Sequence, residues 1–335
     1  MVTLKQLAEQ LSVSVSTVSK ALHDSEEISP ETVKRVKALA KHLNYQPNKM
    51  AISLKSSKTK SIGVIIPNIL NHFFAKVLFA IEKEASSRGY DIIICISNES
   101  FTKELQSLEV LGNGSVDGFI ISIAEETQTK NKIDHFNSIL QQQLPIVMFD
   151  RVANDVDCDK VIIDDFGAMQ KATTHLINEG RKKIALFSNI DELSVGKLRS
   201  DGYLKALSDS KEYKNEPIML THGKEEDFDE YIEAFLIKNP DVDGIISADN
   251  TSGVIALNKA LKLGYKVPQQ LSIIGFSDEN VLKFTDPKLS TISQHALDIG
   301  KASVKILIDR IDKVTTVSKT KVIKTDLVLR QTTTH

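Results

Sequence analysis

Residues 11–23 read LSVSVSTVSKALH. From Val13 to Val18 apolar and hydroxyl side chains alternate as in a strand, and Lys20-Ala21-Leu22 then continue with helical spacing. A buried strand has no use for so many hydroxyls, and a self-sufficient helix avoids so many β-branched residues. The pattern fits a short helix that buries a few positions and turns a small, hydrogen-bonding face toward something polar. Its flanks agree. Thr3 can cap a helix whose apolar positions Leu4, Leu7, Ala8 and Leu11 recur at i, i+3, i+4 and i+7. After a break at Ser12-Val13, Ser14 caps a second helix with Val18, Ala21 and Leu22 inward. Ser29-Pro30-Glu31 supplies a cap, a proline at the first helical position and an acid in the first turn. That third helix turns Val33, Val36, Leu39, Ala40 and Leu43 inward. Two short helices joined by a tight turn and braced by a third form a helix-turn-helix unit.

In such a unit the second helix enters the DNA major groove, which explains a face that is small and able to hydrogen-bond. Val15, Ser16 and Lys20 are expected to face the bases, Val15 toward a thymine methyl and Lys20 toward a guanine edge. Thr3, Ser14, Thr17 and Ser19 complete the expected DNA-binding set, with Ser14, Thr17 and Ser19 suited to phosphate or turn contacts. Charge points the same way. Residues 1–60 hold nine lysines and Arg35 against five acids, a net +5, so the remainder carries −7 of the overall −2. A basic head on an acidic body suits an anionic polymer as partner.

TLKQLAEQLSVSVSTVSKAL (3–22), with Asn44-Tyr45-x-Pro47-Asn48 and Ala51-x-x-Leu54 in NYQPNKMAISLKSSKTKSIGVIIP (44–67), resembles the LacI/GalR family of bacterial transcription regulators. The resemblance extends through the whole chain. It implies that residues 47–60 hold a hinge helix that orders on an operator, with Leu54 wedged into a base step from the minor groove, Lys55 after it, and Asn48 among the DNA contacts. An apolar wedge unstacks a flexible step and bends the duplex. Met50, Ala51 and Leu54 would share one face of two helical turns, too short to be stable alone.

From Ser61 onward short apolar runs alternate with amphipathic helices. The expected strands are 62–66, 91–96, 118–121, 146–149, 161–163, 184–187, 244–247 and 272–275. Runs this short and this rich in Ile and Val, separated by helices, indicate parallel sheets covered on both faces. SVDGFIIS (115–122) echoes DVDGIISA (241–248), and KSIGVIIP echoes KKIALFSN, so two similar α/β lobes are expected. The expected architecture is an N-terminal all-α helix-turn-helix DNA-binding domain (1–46), a hinge helix and linker (47–60), and a two-lobed α/β domain with parallel sheets (61–335). The family resemblance makes that last domain periplasmic-binding-protein-like. Lobe 1 is assigned to residues 61–160 and 292–320, lobe 2 to 161–291 and 321–335.

Ligands of such sheets sit at strand C-termini. After the first strand comes Asn71-His72-Phe73-Phe74; the family has Asn-Pro-Phe-Phe, so His72 departs. Phe73 or Phe74 can stack on a ring or fill the core. Asp150-Arg151 ends a strand and can bind hydroxyls and an anion, with a surface ion pair as the alternative. Arg199, with Gly202 three residues on, matches the family's effector-binding arginine. Asp249-Asn250 and Ser277-Asp278 follow two further strands. The family has Asp directly after Gly-aromatic, whereas here Ser277 stands there and the acid moves to Asp278. Glu225 stands where relatives carry a stacking aromatic. These departures bar a direct transfer of sugar or purine specificity.

No run of about 18 apolar residues and no signal-peptide pattern is present, so no membrane partner and a bacterial cytoplasmic location, at the nucleoid when DNA-bound, are expected. Cys95, read as a buried thiol, and Cys158 lie in no CxxC or metal-ligand spacing. GxGxxG and GxxxxGK[ST] are absent and the eight histidines are scattered, so no enzyme, cofactor or metal site is expected. The expected partners are double-stranded DNA with a palindromic operator, a small-molecule effector between the lobes, and a second copy of the chain. The effector is read as a sugar or sugar derivative acting on a repressor, against an effector-dependent activator or a purine-like ligand. Tetramers stay open, since the tail QTTTH shows no heptad repeat.

Overall fold

Local capping chemistry sets the first three helices. In the computed structural model, which describes residues 2–45, 58–221, 227–277 and 285–334, α1 (Leu4–Leu11) opens on a capping box. The Thr3 hydroxyl accepts the Gln6 N–H, and the Gln6 carboxamide accepts the Thr3 N–H at 2.8 Å. Ser12 ends the helix in the left-handed region. The Ser14 hydroxyl accepts the Thr17 N–H to start α2 (Val15–Leu22), and Ser29 does the same through Thr32 for α3 (Pro30–His42). Leu7, Ala8, Val18, Ala21, Val36 and Ala40 form the core, with Leu4, Leu11, Leu22, Val33, Leu39 and Leu43 packed around it. Every position expected to point inward does so. This unit, Met1–Thr59, is compact in itself, and Lys60–His335 forms a second unit.

The second unit contains two sheets. The first holds β1 (Ser61–Ile66), β2 (Asp91–Ile96), β3 (Phe119–Ile121), β4 (Ile146–Phe149), β5 (Asp159–Ile163) and β11 (Thr320–Ile323). Its order is β11-β5-β4-β3-β1-β2 and every pair is parallel. The second holds β6 (Ile184–Ser188), β7 (Ile218–Thr221), β8 (Gly244–Ser247), β9 (Ser272–Phe276), β10 (Ser290–Ser293) and β12 (Asp326–Val328). Its order, β12-β10-β9-β8-β6-β7, matches the first strand for strand, with β12 alone antiparallel. Helices α4 (His72–Ser87), α5 (Phe101–Gly112), α6 (Glu125–Thr129), α7 (Asp134–Gln141) and α12 (Ala296–Ile311) belong to the first lobe. Helices α8 (Asp165–Asn178), α9 (Ser194–Asp209), α10 (Phe228–Lys238) and α11 (Ser252–Lys262) belong to the second.

The sequence echo has a physical counterpart. Asp117, just before β3, accepts the Lys60 N–H at 2.9 Å, and Asp243, just before β8, accepts the Lys183 N–H at 2.7 Å. In each lobe one aspartate pins the start of the first strand to the start of its neighbour. Each lobe also pairs two helices across a glycine. A Cβ on Gly300 of α12 would lie 2.5 Å from the Val77 carbonyl of α4, and one on Gly202 of α9 would lie 2.3 Å from the Phe166 carbonyl of α8.

Three expectations need correction. The chain crosses between lobes after residues 163, 293 and 323, not at 160, 291 and 320, because β5 registers with β4 and β11 while β10 registers with β9. Strands β7, β10, β11 and β12 escape an Ile/Val criterion, being short, polar or at sheet edges. Cys95 is half-buried rather than core, since β2 is an edge strand. The threonine-rich tail is stitched into lobe 2: the Ile273 N–H donates to the Thr332 carbonyl at 2.9 Å, and Ser290 shares a 2.7 Å hydrogen bond with Thr333.

Because the backbone atoms facing Gly202 and Gly300 cannot yield as a flexible side chain would, Gly202→Ala and Gly300→Ala should each destabilise the two-lobed unit by about 1–3 kcal/mol. Urea unfolding of each variant measures this.

Candidate functional site

Two regions carry the residues expected to function. On α2, Val15 and Ser16 are exposed, and Val15 keeps 44% of its surface accessible. Thr3 and Ser14 are exposed while Thr17 and Ser19 are half-buried, and the side chains of Thr3, Ser14 and Thr17 already serve the helix caps. Lys20 is ion-paired with Glu27, and Lys37 with Asp24 at 2.6 Å. Exposed pairs of this kind are worth about 0–1 kcal/mol, so a phosphate or a base edge can replace the carboxylate. Asn48, Leu54 and Lys55 lie outside the described residues.

The second region is a cavity of about 240 Å³ between the lobes. Asn68, Asn71, Phe73, Phe74, Glu99, Glu125, Asp150 and Arg151 line it from lobe 1, and Asn189, Leu193, Arg199, Asp249, Asn250 and Thr251 from lobe 2. Hydrogen bonds between the lobes close it. Asn250 Nδ2 donates to Asn71 Oδ1 at 3.1 Å, Gln128 Nε2 to the Ser194 hydroxyl at 2.8 Å, and the Ser194 N–H to Gln128 Oε1 at 2.9 Å.

Of the residues expected to meet a ligand, Phe73, Phe74, Asp150, Arg151, Arg199, Asp249 and Asn250 come together here. Ser277 does not line the cavity; it is buried past β9 with its N–H on the Ile292 carbonyl, so the sheet ladder continues through it. Asp278 and Glu225 lie outside the described residues. Glu99, Glu125, Asn68, Asn189 and Thr251 were not foreseen. Glu99 and Glu125 stand three or four residues beyond their strands, past the positions where a strand end is recognisable. A left-handed backbone at Asn98 and Glu99 turns the chain back toward the cleft.

The charges divide into used and unused. Arg151 donates to both Glu99 oxygens at 2.8 and 2.7 Å, with its guanidinium 5.5 Å from the Phe74 ring centre. Arg199 Nε and Nη2 hold Asp165 at 2.7 Å, Nη1 donates to the Ala248 carbonyl at 2.7 Å, and the guanidinium stacks 3.7 Å from the Phe276 centroid. Three of the five N–H donors of an arginine are thereby occupied. Asp249 accepts from the Thr251, Ser252 and Asn189 N–H groups and from the Thr251 and Ser252 hydroxyls, so it shapes the turn into α11. The Asp150 carboxylate has no hydrogen bond or ion pair among the described residues, and its backbone sits in the left-handed region at φ 57°. Burial raises its pKa, with Arg199 and Arg151 offsetting only in part. Burial likewise pushes Asp165 up to about 6, against the pull of Arg199. Glu125 is raised by burial and then by Glu99.

A small helical DNA-binding unit followed by a two-lobed sheet pair with its cavity at the strand ends defines a ligand-responsive DNA-binding regulator of the periplasmic-binding-protein type. The model for periplasmic binding proteins and the sugar binding domain of the LacI family matches residues 59–331, and that for bacterial regulatory proteins of the lacI family matches residues 3–48. The chain belongs to the lacI family of bacterial regulatory proteins. It is 30% identical to the ribose operon repressor of Haemophilus influenzae, over 99% of this chain and 98% of that one. It is 28% identical to the repressor PurR of Mannheimia succiniciproducens, over 99% and 98%. The fold superimposes on a lac repressor dimer bound to operator and the anti-inducer ONPF with a TM-score of 0.87, at 21% identity and 99% coverage of both chains.

Asp150→Asn keeps a residue that tolerates the left-handed backbone and removes an uncompensated charge. A raised carboxylate pKa stabilises the folded state fully below the unfolded value, near 3.9, and that contribution is lost as pH climbs through the folded value. The ligand-free variant should therefore melt above the parent at pH 7, and the gap should close as pH falls toward about 4. Thermal melts across that range measure it.

Proposed function

We propose that the chain is a repressor that binds a near-palindromic operator as a homodimer and is controlled by a small polar ligand, a sugar or sugar derivative, held between its lobes. The observation that carries this reading is the cleft itself. Asp150 from one lobe and Arg199 and Asn250 from the other reach the same cavity, and the lobes already hydrogen-bond across it. A ligand touching both lobes favours the closed arrangement only through its differential affinity for it. The relatives named as the repressor PurR and as a ribose operon repressor support a metabolite-sensing repressor.

On the DNA side, Val15, Ser16 and Lys20 read the major groove, while Thr3, Ser14, Thr17, Ser19 and Asn48 position the backbone. Leu54, followed by Lys55, is the wedge. Homodimerisation is supported by edge strand β2, whose Ile93, Ile94 and Ile96 remain exposed, as does Phe79 of α4. An open edge bearing isoleucines invites a partner. Among the described residues no helix is long and apolar enough to cross a membrane, and no group of three metal-ligating side chains occurs. The role needs neither catalysis nor a cofactor. It places the protein in the cytoplasm, on the nucleoid when bound to DNA.

Selection from random DNA should return two inverted half-sites, with affinity falling steeply as salt rises. A single asymmetric half-site overturns the dimeric reading. Leu54→Ala should weaken operator binding by about 1–3 kcal/mol and leave ligand binding unchanged.

Arg199→Ala should abolish the ligand response while sparing operator affinity. It also strands Asp165, at a cost of about 3–5 kcal/mol in stability. Asn250→Ala removes a cleft donor without stranding a charge, so its operator complex should need more ligand for release at unchanged stability. DNA-shift titrations of both variants, with melting curves alongside, separate lost sensing from lost folding.

A further inference from the structure

We propose that the ligand of this cleft carries an ammonium group on a monosaccharide-sized polyhydroxyl frame, as a hexosamine does, and that the cleft rejects phosphorylated and carboxylated sugars. The proposal rests on reading the cleft as the ligand-sensing site. Glu99, Glu125, Asp150 and Asp249 line the cavity against two cations, Arg151 and Arg199, and no lysine or histidine lines it among the described residues.

Neither cation is available to neutralise a ligand. Arg151 is clamped on both oxygens of Glu99, and Arg199 on Asp165 behind the cavity wall. Asp249 is consumed by the amides and hydroxyls that shape its turn. What remains are two carboxylates without a hydrogen bond or ion pair among the described residues, Asp150, which is half-buried, and Glu125, which is exposed. The charges around Asp150 are Arg199, Arg151, Glu99 and Asp165, and those around Glu125 are Glu99, Arg151 and Glu192. In both sets acids equal or outnumber bases, and one cation can be matched only once.

An anionic ligand entering this space adds a like charge where desolvation already disfavours two. An ammonium brings three donors and no acceptor, which suits carboxylates that no described side chain pairs. The remaining lining suits hydroxyls: asparagine side chains from both lobes and the unoccupied N–H groups of Arg199. Flat purines are poorly served, because Arg151 covers the Phe74 ring and Arg199 the Phe276 ring, leaving Phe73 as the other aromatic among the described lining residues. At about 240 Å³ the cavity falls below the roughly 300–1,000 Å³ of sites for drug-sized ligands, which fits a single sugar ring.

The test is calorimetric titration of the full-length protein with glucosamine, galactosamine and mannosamine, each beside its neutral parent hexose and that hexose's 6-phosphate. One amine should bind about tenfold or more tightly than its parent, with no heat from its phosphate. Asp150→Asn should narrow that gap to within about threefold, because the amine loses its carboxylate partner. A neutral or phosphorylated hexose that binds as well as its amine overturns the charge assignment and leaves the cleft standing as a sugar sensor. Silence from all members overturns the hexosamine class and the sugar reading together.

Discussion

Arg199 holds the cleft edge of the second lobe together. Its guanidinium lies on the Phe276 ring at the end of β9, grips Asp165 at the start of α8, and donates to Ala248 just past β8. One side chain on α9 thus ties four elements where the chain has just crossed from the first lobe. A buried pair of this kind is weak as a source of stability but severe when broken. It fixes geometry. Asp150 then stands opposite without a counterion of its own, and the shape and charge of the cleft both follow from that arrangement.

Among the described residues, neutral hydrogen bonds from Asn250 to Asn71 and both ways between Gln128 and Ser194 contribute about 0.5–1.5 kcal/mol each, while His295 and Asp326 pair at 2.8 Å beside the chain crossings. Shifting a two-state equilibrium from one extreme to the other takes roughly 5.5 kcal/mol of differential binding. A ligand that pairs Asp150 while hydrogen-bonding both lobes works on that scale, so the lobes are held closely enough to form a site and loosely enough for its occupancy to matter. The three chain crossings near residues 163, 293 and 323 allow such a motion without disturbing either sheet.

Much of this was legible in the sequence where the signal is local. Thr3, Ser14 and Ser29 each precede a short apolar period, and each caps its helix as that pattern requires. The central strands are Ile/Val runs with no competing reading. The crossings were misplaced because β5 begins with Asp159-Lys160, which read as loop; in the fold Asp159 is buried against Arg310 at 2.5 Å and the Lys160 ammonium donates to the Val156 carbonyl. Ser290–Ser293 looks polar but is sealed by the buried tail threonines. In the cleft, Asp150, Arg199 and Asn250 were visible as strand-end or motif residues, while Glu99 and Glu125 depend on loop geometry that no periodicity encodes. That Arg199 is spent on Asp165, thirty-four residues away in the chain, is a long-range fact that changes the predicted charge of the ligand.

If occupancy of the cleft and binding of DNA are coupled through one equilibrium, the coupling is reciprocal. Ligand affinity should be measured calorimetrically on the free protein and on its operator complex, and operator affinity with and without saturating ligand. The factor by which DNA changes ligand affinity should equal the factor by which ligand changes DNA affinity, and both should differ from one. Operator affinity that stays the same at full occupancy of the cleft would contradict a sensor built from these two lobes.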